Sequence, residues 1–100
     1  MTDDKYFSLS EDGRFYTFLG GEELKGKIVI PCEHNGLPVT KIAPKAFFNC
    51  TELEEVEIPE GVVEIGEAAF MACFSLNKIN IPSTVRIIGA KAFLDRKSVV

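Results

Sequence analysis

The sequence predicts a solenoid. Short strands should stack into a parallel sheet, with short helical turns and loops on the other face, and a β-hairpin should cap the first end. Three observations predict this. The phrase "IPEGVVEIGEAAFMAC" (Ile58 to Cys73) returns as "IPSTVRIIGAKAFLDR" (Ile81 to Arg96). A stretched copy, "IPCEHNGLPVTKIAPKAFFNC", precedes them from Ile30 to Cys50. Upstream of Leu24 the repeat gives way to alternating apolar and polar residues around Asp12-Gly13.

The period is fixed. Phe47, Phe70 and Phe93 stand 23 residues apart, as do Ile42, Ile65 and Ile88, and Ala46, Ala69 and Ala92. Leu53, Leu76 and Val99 share a column, as do Cys50 and Cys73, with Arg96 breaking that series. A repeat of about 20–29 residues marks a leucine-rich solenoid.

Each element has a local cause. Residues 1–23 read as the cap: "YFSLSEDGRFYTFLGG" is a hairpin signal, and its aromatics can cover the core edge that a solenoid end exposes. Residues 24–100 read as about three repeats of 23–28 residues. In "LEEVEIP", Val56 and Ile58 alternate with Glu55 and Glu57, and Pro59 stops the strand because it has no N–H to donate. Gly61 and Gly66 allow turns, and "EAAFMAC" can form a short helical turn. The first repeat is longer; its extra residues sit within "CEHNGLPVT", which carries the turn pair Asn35-Gly36 and reads as a protruding loop before Val39 and Ile42 resume the columns. Coils stacked this way place strands about 4.8 Å apart, with a right-handed superhelix expected.

Composition excludes several classes. A net charge of −4 argues against nucleic acid, which requires a basic footprint. No apolar run approaches the roughly 18 residues of a membrane span, so membrane insertion is not expected. "MTDDKYFSLSEDGRF" lacks the basic start and apolar stretch of an export signal, which points to the cytoplasm.

Reactive chemistry is sparse. His34 is the single histidine, and its turn-rich surroundings read as a solvated loop without a nucleophile or orienting partner. Cys32, Cys50 and Cys73 are an odd set for disulfides and too few, with one histidine, for a zinc site. Cys50 and Cys73 should be buried free thiols, and Cys32 should be accessible. Gly20-Gly21 lacks the residues of a phosphate loop. No enzyme activity, metal or cofactor is expected.

The unit "LxxVEIPxxVxxIGxxAFxxC" resembles the BspA-like leucine-rich repeat family, and "VIPCEHNGLPVTKIAPKAFFNC" resembles its opening repeat. Ala43 stands where the family usually has glycine. The resemblance implies a non-catalytic binding module, displayed on a cell surface or secreted. That setting conflicts with the missing export signal, so the compartment is left open.

Two surfaces are candidates for function. The exposed sheet face carries the rows Lys27, Glu55, Lys78 and Val29, Glu57, Asn80, and would bind a protein or other macromolecule. The period predicts that Val99 begins a fourth strand, whose inward positions equivalent to Val56 and Ile58 are not in this sequence. Residues Ile79, Ile81, Val85, Ile88, Phe93 and Val99 therefore form a candidate end for self-association, or for the continuation of a longer array.

Overall fold

The computed structural model describes residues 3–94. Its elements begin with a single 3-10 turn, Asp4–Tyr6, followed by β1 (Phe7–Leu9) and β2 (Tyr16–Phe18). Then come β3 (Gly26–Val29), β4 (Glu33–His34), β5 (Leu37–Ile42), β6 (Leu53–Glu57), β7 (Glu64–Ile65), β8 (Lys78–Ile79) and β9 (Ile87–Ile88). The chain winds as a solenoid of about three coils.

The expected parallel sheet is present as β3-β6-β8, with Lys27 opposite Glu55 opposite Lys78. The register slips by one residue between Gly26 and Lys27, so Glu54 is an extra residue in β6. The other face departs from expectation. It carries a second sheet, in the order β1-β2-β5-β7-β9, in which β5, β7 and β9 run parallel. The hairpin belongs to this sheet: β1 pairs antiparallel with β2, and β2 pairs parallel with β5. The cap is thus a partial coil as well as a lid.

The short helical turns are also corrected. The segments around Phe47, Phe70 and Phe93 are turns without a helix. Lys45, Ala68 and Lys91 share a column and all have φ near +60°, as do Asn49 and Ala72. The left-handed region costs an L-residue roughly 1–2 kcal/mol. The return is a hydrogen-bond ladder between coils. Lys45, Phe47 and Asn49 donate their N–H groups to the carbonyls of Glu67, Ala69 and Met71. Ala68, Phe70 and Ala72 donate in turn to Ala90, Ala92 and Leu94. The intervening N–H groups of Ala46, Phe48 and Cys50 bond within their own coil. A regular helix would direct every N–H along its own axis and leave neighbouring coils unlinked.

The core is one column after another. Val39 and Val62, Ile42 and Ile65, Phe47 and Phe70, Leu53 and Leu76 are all buried. The rings of Tyr6, Phe18, Phe47, Phe70 and Phe93 stack in series, with Phe47 to Phe70 at 4.9 Å and Phe70 to Phe93 at 5.4 Å. Gly66 and Gly89 permit this packing, since a Cβ on either would lie 2.4 Å from a backbone nitrogen of the preceding coil. Ala43 makes the equivalent bond to the cap, from its N–H to the Phe18 carbonyl at 2.9 Å, as Gly66 does to Ile42 and Gly89 to Ile65.

Candidate functional site

Strands β3, β6 and β8 bring the first predicted row together. The Glu55 carboxylate lies 3.7 Å from Lys27 Nζ and 3.8 Å from Lys78 Nζ, through the same oxygen. The row is therefore charge-paired within itself. In the second row, Val29 and Glu57 are register partners and both are exposed. Asn80 lies past the end of β8, and its amide is already engaged. Ile58 N–H donates to Asn80 Oδ1 at 2.9 Å, and Asn80 Nδ2 donates to the Ile58 carbonyl at 2.8 Å. Thr84 acts in the same way: it accepts from Gly61 N–H and donates to the Val62 carbonyl. Both side chains stitch the last coil to its neighbour where strand pairing has ended.

A groove of about 900 Å3 opens at the leading end of the same three strands, lined by Lys25, Gly26, Glu52, Glu54, Ser75, Leu76 and Asn77. Sequence reasoning missed it. The available signal was charge: Glu52, Glu54 and Lys25 flank the apolar columns without alternating cleanly with them. No ion pair engages Glu52, Glu54 or Lys25 among the described residues.

His34 is the clearest correction. It is buried, the one such polar side chain among the described residues. The insertion is a two-residue hairpin, β4 pairing with β5, with Asn35 and Gly36 at positive φ. This folds His34 onto the cap, where its ring stacks on Phe7 at 3.9 Å and meets the Tyr16 ring edge-on at 4.8 Å. Its Nε2 lies 2.6 Å from Asp4 Oδ1. Asn35 Nδ2 donates both to Asp4 Oδ1 and to the Tyr16 hydroxyl. The bonds from His34 and then Asn35 hold the Asp4 carboxyl below the usual carboxylate range. The network joins cap to first coil and brings no nucleophile to the imidazole.

The cysteines stand as expected: all three are free, with Cys50 and Cys73 buried and Cys32 exposed. The Cys50 thiol donates to the Gly21 carbonyl and Cys73 to the Phe47 carbonyl, each reaching one coil back. Burial pushes the Cys50 thiol up to about 11, with Glu23 and Glu22 adding to the shift. Such a thiol is a poor nucleophile near neutral pH. Among the described residues no cluster of His, Cys, Asp or Glu is fit to hold a metal ion, and no helix is long and apolar enough to cross a membrane.

At the candidate self-association end, Ile81 and Ile88 are 44% and 49% exposed. Ile79, Val85 and Phe93 are partly buried against the core, and Val99 lies outside the described residues. Ile87 and Leu94, which the columns did not flag, are exposed on the same coil.

Comparison with known proteins agrees with the repeat. The family model for the BspA type leucine rich repeat region (6 copies) matches residues 16–99. No curated protein sequence matches. Among solved structures, a leucine rich repeat protein from T. pallidum is similar at 33% identity and a TM-score of 0.84, covering 94% of this chain and 45% of its own. One from Bacteroides capillosus is similar at 33% identity and TM-score 0.74, covering 87% of this chain and 67% of its own. A leucine rich cell surface protein from Faecalibacterium prausnitzii has 30% identity and TM-score 0.57, covering 93% and 33%. The chain thus spans less than half of the T. pallidum protein. The family model covers most of this chain, and the chain belongs to the BspA type leucine-rich repeat family.

Proposed function

We propose that this chain is a non-catalytic interaction module that binds a protein or other macromolecular partner through the outer face of β3-β6-β8 and the groove leading into it. The observation that carries this reading is the groove itself, about 900 Å3, beside an exposed strand face. A rigid sheet bordered by a groove offers a partner both area and depth. The family supports a repeat-protein module, and the likeness to a protein described as a cell surface protein supports that setting for this chain. The test is a display selection for binders, followed by measurement against the fourfold variant Lys27→Ala, Glu55→Ala, Glu57→Ala, Lys78→Ala. Binding should weaken at least tenfold while the oligomeric state is unchanged. Binders indifferent to all four changes would contradict the reading.

A second reading rests on a separate observation. Ile81, Ile87, Ile88 and Leu94 expose apolar surface on one coil, beside the unpaired edges of β8 and β9 among the described residues. That surface fits another coil of the same kind, supplied by a second copy around a two-fold axis or by a longer array. Sedimentation over a wide concentration range should show association that Ile81→Glu abolishes. A strictly monomeric species at high concentration, with the variant unchanged, would rule out the second copy.

A further inference from the structure

We infer that the groove at the start of β3, β6 and β8 accepts an extended protein segment bearing a lysine or arginine side chain. This rests on the proposed reading of the sheet face as a partner site and names the chemistry of the partner. The groove crosses the strands, so it runs along the stack. Three strands at about 4.8 Å spacing match the length of roughly three extended residues.

Charge selects the side chain. Glu52 and Glu54 line the groove on the middle coil and are exposed, with no cation paired to either among the described residues. Immediately after Glu54, Glu55 is held between two lysines. The contrast separates a carboxylate that is already neutralised from two that are not. Lys25 is the single cation in the groove. An adjoining hollow that shares Lys25 and Glu52 adds Glu22 and Glu23, which keeps the local balance acidic. Phosphate-bearing partners are disfavoured on the same ground.

Hydrogen bonding selects the backbone state. Ser75 and Asn77 line the far side, and neither side chain has a hydrogen-bond partner among the described residues. An extended segment carries free N–H and C=O groups for them, whereas a helix has satisfied most of its own. At Gly26 no Cβ intrudes, and the space a Cβ would take is open.

The test is a 15N NMR titration with the blocked peptide acetyl-Gly-Lys-Gly-Lys-Gly-amide, with acetyl-Gly-Glu-Gly-Glu-Gly-amide as control. The lysine peptide should shift amides at 25–26, 52–54 and 75–77, and the double variant Glu52→Gln, Glu54→Gln should weaken it at least tenfold. Glu60→Gln, outside the groove, should leave it unchanged. Shifts spread over the whole acidic surface, equal response to the glutamate peptide, or indifference to the double variant would overturn the inference. The display-selected binders separate the two readings. If the fourfold sheet variant abolishes their binding and the double variant leaves it intact, the partner site stands and the groove chemistry fails. If the lysine peptide behaves as expected but the binders ignore the fourfold variant, the sheet-face reading fails alone.

Discussion

The coil from Leu53 to Cys73 and the coil from Leu76 to Leu94 share one repeating unit, yet their isoleucines stand in different surroundings. Ile58 and Ile65 are buried, while their period partners Ile81 and Ile88 are about half exposed. Phe70 is enclosed between Phe47 and Phe93, whereas Phe93 is partly buried. Nothing in the residue types explains this. The middle coil has a coil described on each side. In a solenoid, burial is conferred by the neighbour, so identical residues differ in energetic weight along the stack.

The largest expected effect is at the centre of the ring column. Phe70→Ala should destabilise by about 3–5 kcal/mol. Phe93→Ala, at a partly buried position, should show less than half of that loss. Urea midpoints compare them, and equal shifts would break the contrast between coils.

Glycine sharpens it from the other side. A Cβ at Gly66 meets the Pro44 nitrogen at 2.4 Å, and one at Gly89 meets the Glu67 nitrogen at 2.4 Å. Both contacts face backward along the stack. Gly66→Ala and Gly89→Ala should each destabilise by roughly 1–3 kcal/mol, with no relief at the last coil. A harmless Gly89→Ala would show that the last coil yields where the middle one does not.

The cap should respond to acid. Asp4 is held ionised by His34 and Asn35, so its folded pKa lies below its unfolded one. Its contribution is present above the unfolded value and is lost as pH falls through the folded value, below about pH 4. Asp4→Asn should remove that part of the acid limb in a plot of urea midpoint against pH. An unchanged profile would show that the cap is held by its rings alone.

The smallest effect belongs to the charge row. Glu55→Gln should lower stability by roughly 0–1 kcal/mol, and the difference should vanish near 1 M salt. A larger loss that persists in salt would mean that the row is a structural clamp.

Much of the fold was legible because a solenoid writes its contacts at a fixed spacing. The columns of Phe47, Ile42 and Leu53 gave the core directly, and Asp12-Gly13 marked the hairpin. The left-handed turns were not legible. Lys45, Ala68 and Lys91 have no intrinsic preference for positive φ, and they adopt it for hydrogen bonds to another coil. His34 was misread for a related reason. Asn35-Gly36 announced a turn, but its landing on Phe7 depends on a contact across many residues of chain. In the candidate site, alternation pointed to Lys27, Glu55 and Lys78. The groove lies where the register slips, which local patterning does not encode. Asn80 looked like a surface polar residue because nothing in its own coil reveals the Ile58 backbone beside it.

The most direct measurement is the matched pair Ile65→Ala and Ile88→Ala, one residue type at one position of the repeat, followed by urea unfolding. If burial comes from the neighbouring coil, Ile65→Ala should destabilise by about 2–5 kcal/mol. Ile88→Ala, half exposed on β9, should destabilise by less than about 1 kcal/mol. Equal midpoints for the two variants would contradict the stacking of coils as the source of the core.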